Sequence, residues 1–227
     1  MSDEKTPERP PRAGLAGLLD AESFSLQEAM GGWRGFIEAA LPGLVFVVAY
    51  VIWPGFKVPV IASVATVVVM VTARLIARTP ATQAFSGVVG VGLGAVWAWR
   101  AGDAGEYFVP GFWINAAWCV GVLLTMAVRW PLVGVVMALL RGTGQAWRKD
   151  RSTMWRMQWG SAMLAAMFAL RLVVQVPLYL AGEVAVLGTA KLVMGLPLTA
   201  LTLWAIWFLV RSSGQRPEPE DLRPPTR

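Results

Sequence analysis

Six long apolar stretches, separated by short polar segments, take up most of this chain. They predict six membrane-spanning helices, because each has about the 17–25 residues that a helix needs to cross the hydrocarbon core of a bilayer. Numbered one to six, the predicted spans are 36–53, 58–77, 84–100, 109–128, 157–180 and 184–210. The predicted fold class is therefore all-α: a polytopic integral membrane protein with a six-helix transmembrane bundle.

The segments outside the spans differ in character. Residues 1–13 and 211–227 are rich in proline and charge and predict two disordered tails. Residues 14–35 carry apolar side chains at helical spacing and predict an interfacial amphipathic helix. A loosely ordered linker interrupted by Gly31-Gly32 is the alternative. Residues 132–140 are too few to cross a membrane and predict an interfacial or re-entrant piece. A basic loop at 141–156 then leads into span five.

The basic residues fall almost wholly on one side of the predicted bundle. Of the 20 lysines and arginines, only Lys57 and Arg100 lie on the outer side when the N-terminus is placed inside, and Arg171 and Lys191 lie within spans. This asymmetry predicts that both termini are cytoplasmic, by the positive-inside rule. Tryptophans near both ends of the spans support that orientation as two interfacial belts. The expected location is the cell (cytoplasmic) membrane, as a multi-pass protein.

Composition narrows the chemistry further. The mean hydropathy is +0.55 and 56% of the residues are hydrophobic, which is too apolar for a soluble domain of this length. The net charge of +6 predicts contact with anionic lipid headgroups at the cytoplasmic face, rather than a nucleic-acid partner. The chain has no histidine and one cysteine, so neither a metal site nor a cofactor is predicted.

Two cations lie inside the predicted spans. Arg171 is roughly 14 Å and Lys191 roughly 10 Å from the outer ends of their helices, at the helical rise per residue. A cation at the centre of a helix in hydrocarbon costs at least about 2.5–3.5 kcal/mol, and no carboxylate shares their depth. An anionic small molecule or lipid headgroup would compensate both charges. The predicted ligand-binding residues are Arg171, Lys191, Gln175, Tyr179, Asn115 and Tyr50.

A purely structural explanation stays open for the same two cations. Lys191 would then reach the outer interface or pair with Glu183, as long basic side chains near helix ends do. Arg171 would bond exposed helix carbonyls and Gln175.

Span three carries glycines that predict close helix packing, because small residues let two backbones approach each other in a membrane. The predicted packing positions are Gly87, Gly90 and Gly94. A homo-oligomer through this face is one alternative, and the oligomeric state is left open. No paired carboxylates, nucleophile–base pair or phosphate loop can be assembled from the spans, so the chain is predicted not to be an enzyme.

Several motifs are distributed over nearly the whole chain except its tails. They include LPGLVF at 41–46, SGVVGV at 86–91, RWPLVG at 129–134, FALRL at 168–172 and GLPL at 195–198. With these motifs the chain resembles a family of uncharacterised actinobacterial multi-pass membrane proteins, domain of unknown function 3159. The resemblance implies an inner-membrane protein and supplies no established activity. A more distant likeness to the intracellular septation protein A family, carried by the proline-bearing first span and Tyr50, implies an envelope role.

Two functions are compatible with these observations. The first is a small transporter-like or binding protein for an anionic solute or lipid headgroup, with Arg171 and Lys191 as charge anchors. The second is a non-catalytic membrane scaffold in cell-envelope or division complexes, with the basic loop at 141–156 as its contact surface.

Overall fold

The computed structural model describes residues 32–76, 82–141 and 146–211, and every regular element within these ranges is helical. The all-α class is therefore confirmed for the described chain. Short 3₁₀ helices at Gly105–Phe108 and Ala146–Arg148 accompany the α-helices. The α-helices are α1 Gly32–Ile52, α2 Lys57–Ile76, α3 Thr82–Ala101, α4 Val109–Ala127, α5 Leu132–Arg141, α6 Arg151–Leu180, α7 Val184–Val193 and α8 Leu196–Arg211.

Four helical stretches are long and apolar enough to cross a membrane. Two further helices, α1 and α3, are apolar over the shorter stretches Ala39–Ile52 and Gly87–Ala101. The structure thus supports a membrane protein, with four of the six predicted spans at full spanning length. The four long stretches are Lys57–Ile76, Gly105–Ala127, Arg151–Leu180 and Val184–Arg211.

Two helix starts differ from the predicted ones. α6 begins at Arg151 rather than at 157, because Asp150 caps it: the carboxylate accepts hydrogen bonds from the backbone N–H groups of Ser152 (3.3 Å) and Thr153 (3.2 Å). The basic loop expected at 141–156 is correspondingly shorter. α1 begins at Gly32 and includes the end of the expected interfacial helix. The rest of that helix, and both predicted tails beyond Arg211 and before α1, lie outside the described residues.

The last predicted span, 184–210, is two helices rather than one. α7 ends at Val193, Met194 and Gly195 form a turn, and α8 begins at Leu196. The cause lies in the proline at Pro197, which has no N–H to bond the preceding turn and is favoured in the first turn of a helix. The break leaves carbonyl groups at the end of α7 and N–H groups at the start of α8 without partners inside their own helix.

Two clusters of buried side chains hold the helices together. α1 packs against α2 and α7, while α6 packs against α4, α5, α7 and α8. The smaller cluster joins α5, α6 and α8 through Val133, Met157, Ile206 and Val210. The larger one, which we call the aromatic core, consists of Phe46, Val60, Ala98, Ala104, Tyr107, Phe108, Val184 and Leu187.

Polar side chains reinforce the packing around α6. Gln158 donates a hydrogen bond from Nε2 to the carbonyl oxygen of Met126 in α4, at 3.1 Å. The buried hydroxyl of Ser161 accepts one from the N–H of Val133, at 3.1 Å, which satisfies an amide in the first turn of α5. Nearer the middle of α4, the thiol of Cys119 approaches the carbonyl oxygen of Ala165 at 3.7 Å. These contacts hold α4 and α5 against α6.

Candidate functional site

A cavity of about 380 Å³ lies between α1, α3, α4, α6, α7 and α8. Its volume is within the range of small-molecule sites, about 300–1,000 Å³. Its polar lining comes from Arg171 and Gln175 of α6, Lys191 of α7 and Asn115 of α4, and none of the described residues that line it is acidic. The walls are otherwise apolar and include Pro42, Gly43, Gly87, Gly90, Tyr107, Phe108, Ile114, Leu192 and Pro197.

Arg171 is anchored to the break between α7 and α8. Its Nη2 donates to the carbonyl oxygen of Gly195 (2.7 Å) and to the hydroxyl oxygen of Thr199 (2.6 Å). The Thr199 hydroxyl in turn donates to the same Gly195 oxygen at 2.6 Å. The same Gly195 oxygen accepts the backbone N–H of Thr199 at 3.2 Å, so the guanidinium ties α6 to the carbonyl that begins the hydrogen-bond ladder of α8. The buried Nε of Arg171 makes no hydrogen bond in the described chain.

Lys191 lies one turn before the break and faces aromatic rings. Its ammonium lies 4.8 Å from the ring centroid of Phe108 and 5.5 Å from that of Tyr107, within the usual range of about 6 Å for a cation–π contact. Gly111 lies beside it: a Cβ there would be in ordinary contact with Nζ, at 3.6 Å. Among the described residues, these rings hold the ammonium and no hydrogen bond does.

The rings around Lys191 are held by several independent contacts. The Tyr107 ring stacks on Phe46, with centroids 4.3 Å apart, and its hydroxyl shares a hydrogen bond with Ser63 at 2.9 Å. Gly94 of α3 allows the chain to pass close by, because a Cβ there would lie 2.6 Å from the carbonyl oxygen of Tyr107. We call Tyr107, Phe108 and Gly111, which surround the ammonium, the lysine niche.

Two side-chain amides complete the polar part of the cavity. Gln175 is only 3% exposed, lines the cavity and makes no side-chain hydrogen bond to another described residue. Asn115 donates from Nδ2 to the carbonyl oxygen of Gly111 at 2.7 Å. Each amide has both donor and acceptor atoms, so together with the two cations they can bind the oxygens of an anion.

The six residues predicted to bind a ligand do not all meet in the cavity. Arg171, Gln175, Lys191 and Asn115 line it, whereas Tyr50 and Tyr179 are not among its lining residues.

Both of these tyrosines pack against the aromatic core instead. The hydroxyl of Tyr179 donates to a carboxylate oxygen of Glu106 at 2.5 Å. Tyr107 and Phe108 were missed as lining residues; the available signal is an aromatic pair directly before α4, whose second residue is Pro110.

The three glycines predicted to bring helices together have different surroundings. At Gly94 the close approach exists, to the backbone of Tyr107. At Gly87 and Gly90 no heavy atom lies within 4 Å of the position that a Cβ would occupy, and both residues line the cavity. Within the described chain these two glycines therefore border the cavity, and no helix crosses close to them.

Within the ranges that the structure describes, no group of three or more His, Cys, Asp or Glu side chains is placed to hold a metal ion. The polar chemistry available in the cavity is that of two cations and two amides.

Comparison with known proteins gives one match. The chain belongs to the family described as "Protein of unknown function (DUF3159)", whose model matches residues 30–217. The match includes all the described helices, and it confirms the family resemblance read from the motifs. No curated protein and no solved structure matches this chain. The likeness to the septation protein A family stays a prediction.

Proposed function

We propose that this member of the DUF3159 family is a non-enzymatic, multi-pass protein of the cytoplasmic membrane whose cavity binds an anionic solute or lipid headgroup, in a transporter-like or binding role. The proposal includes six membrane crossings and cytoplasmic termini. One observation carries it: two cations and two amides line one cavity, to which none of the described residues contributes an acid.

Of the two cations, Lys191 has the weaker set of partners among the described residues, because it contacts rings where Arg171 contacts oxygens. A lysine at the centre of a membrane-spanning helix costs about 2.5–3.5 kcal/mol. A cation–π contact returns about 0.5–2 kcal/mol, so the two rings of the lysine niche offset much of that cost, but they leave the N–H donors of the ammonium without an oxygen acceptor among the described residues. A bound anion would supply the missing partner through charge-assisted hydrogen bonds, which are about twice as strong as neutral ones.

Anion binding is tested by titrating the purified protein in detergent with dioctanoyl phosphatidylglycerol and, separately, with inorganic phosphate. We expect at least one of them to bind, and Lys191→Met to weaken that binding about tenfold or more, which corresponds to about 1.4 kcal/mol. The matched control is Lys57→Met, which removes an exposed lysine at the start of α2. Unchanged binding in Lys191→Met, or no binding of either anion, would overturn the proposal.

A scaffold role in envelope or division complexes is a second candidate, supported by the segment before α6. Arg148, Lys149 and Arg151 are exposed there. The segment is fixed to the bundle, because Trp147 packs against Gly134 and the Arg148 guanidinium lies 4.4 Å from the ring centroid of Trp130.

Replacing the three exposed basic residues by glutamine should abolish recovery of a protein partner by affinity purification and leave anion binding unchanged. Partner recovery that survives the triple replacement would remove this candidate.

A further inference from the structure

The cavity reaches the side of the helical bundle. Gly87, Gly90 and Leu93 of α3 line it and are exposed, and the same holds for Ala39 of α1 and Ile114 of α4. The exposed fraction of both Leu93 and Ile114 is 48%, so the wall of the cavity at these positions is also part of the surface of the bundle. The cavity thus opens between α1, α3 and α4, through an opening that we call the lateral mouth.

Among the residues whose side chains the structure describes, glycines and apolar side chains frame the lateral mouth. Its residues belong to the apolar stretches Ala39–Ile52, Gly87–Ala101 and Gly105–Ala127. In a protein that spans the membrane with these helices, such an opening faces hydrocarbon. A small inorganic anion would have to lose its hydration to enter there, which is costly for an unpaired charge. A lipid reaches the same opening without leaving the bilayer.

The part of the cavity that α6, α7 and α8 line has the chemistry of a headgroup site. Lys191 provides a cation, and Gln175 provides an amide that is 3% exposed and has no side-chain hydrogen bond to another described residue. The first turn of α8, at Leu196 and Pro197, also lines the cavity. The start of a helix carries a partial positive charge, to which Leu196 contributes a backbone N–H and Pro197 contributes none. All three features favour a phosphate.

We propose that the ligand of this cavity is an anionic phospholipid. Its phosphate lies between Lys191 and Gln175, and its hydrocarbon chains leave through the lateral mouth into the bilayer. The cavity volume of about 380 Å³ suits a headgroup, whereas two acyl chains have to lie outside it. The proposal rests on the proposed function and adds the class of ligand and its route of entry.

Three probes separate headgroup from chain in a native mass spectrometry titration of the purified full chain. Dioleoyl phosphatidylglycerol has both the anion and the chains, dioleoyl phosphatidylcholine has the same chains on a headgroup without net charge, and glycerol phosphate has the anion alone. We expect phosphatidylglycerol to bind at least about tenfold more tightly than either of the others, a difference of about 1.4 kcal/mol.

The lateral mouth is tested by filling it. Gly90→Leu places a side chain where no heavy atom lies within 4 Å of a Cβ, so the fold should tolerate it while the entry is blocked. Gly121→Leu is the matched control, because its Cβ also has no heavy atom within 4 Å and it does not line the cavity. We expect Gly90→Leu to weaken phosphatidylglycerol binding about tenfold and Gly121→Leu to leave it unchanged. Melting temperatures of both variants check the fold.

The outcomes distinguish the two proposals. If glycerol phosphate binds as tightly as phosphatidylglycerol, and still binds to the Gly90→Leu variant, the lipid assignment is overturned while anion binding stands. Phosphatidylcholine that binds as tightly as phosphatidylglycerol, or no binding by any of the three probes, would overturn both proposals. Phosphatidylglycerol binding that is equal in Gly90→Leu and the parent protein would overturn entry through the lateral mouth.

Discussion

The surroundings of Arg171 and of Lys191 compensate a cation by different means, although both side chains line the same cavity. At Arg171 two oxygens accept hydrogen bonds from the guanidinium, one from the broken helix backbone and one from Thr199. At Lys191 two ring faces approach the ammonium and, among the described residues, no oxygen does. The difference indicates that Arg171 holds the fold at the break, whereas Lys191 remains available to a ligand.

Removing Arg171 should have the largest effect on stability. Arg171→Leu loses two charge-assisted hydrogen bonds, each worth about 1.5–3 kcal/mol, and leaves the Gly195 carbonyl without this partner. We expect the free energy of unfolding, measured by titration with dodecyl sulfate, to fall by about 3 kcal/mol. Arg100→Leu, at an exposed position near the end of α3, serves as the control. If Arg171→Leu and the parent protein are equally stable, Arg171 does not stabilise the break between α7 and α8.

Disturbing the lysine niche should have the next largest effect. In Gly94→Ala the new Cβ would lie 2.6 Å from the carbonyl oxygen of Tyr107, so the backbone has to shift, and such overpacking costs about 1–3 kcal/mol. Gly92→Ala, on the same helix with no heavy atom within 4 Å of its Cβ, should keep the parent's stability. We expect the melting temperature and phosphatidylglycerol binding to fall together in Gly94→Ala only.

Thr199→Val tests whether the hydrogen bond from Arg171 to the Thr199 hydroxyl stabilises the break between α7 and α8. It removes one acceptor of Arg171 at nearly constant shape and should cost about 1 kcal/mol of unfolding free energy. Thr202→Val is the matched control, because that hydroxyl donates to the carbonyl oxygen of Leu198 and not to the Arg171 cluster. If dodecyl sulfate titration shows equal losses for both variants, the hydrogen bond to Arg171 contributes no stability of its own.

Lys191→Met should have the smallest effect on stability, below the loss of about 1 kcal/mol expected of Thr199→Val, because the cost of the cation in hydrocarbon and the cation–π contacts that offset it are removed together. A loss as large as that of Arg171→Leu would show that the cation–π contacts stabilise the fold, and the two cations would then no longer differ in role. The same variant is expected to have the strongest effect on anion binding, so its stability and its affinity should change independently.

Much of the fold and part of the site follow from the sequence. Apolar stretches of spanning length locate the helices, since hydrophobicity and helix length are local properties. The cost of a cation in hydrocarbon singles out Arg171 and Lys191. The four-residue spacing of Arg171 and Gln175 keeps both on one helix face, and both line the cavity.

Other features depend on packing and could not be read from hydrophobicity. Tyr50 lies seven residues after Gly43, which lines the cavity, so it shares nearly the same face of α1 but lies about 10 Å further along the helix. The depth of the cavity, which the packing sets, therefore leaves Tyr50 out. The turn at Gly195 is hidden because 184–210 is apolar throughout. A glycine followed two residues later by a proline was the available local signal for a helix end and a new helix start.

The thiol of Cys119 can serve as a kinetic probe of the contact between α4 and α6. It is the single cysteine of the chain, partly buried, and approaches the Ala165 carbonyl at the contact of α4 with α6. Alkylation at that atom breaks its contact with α6, so we expect its rate to rise in variants that loosen this helix pair, as exchange rates report local unfolding elsewhere. The untouched chain therefore carries its own single-site kinetic probe of the helix pair that provides Asn115 and Arg171.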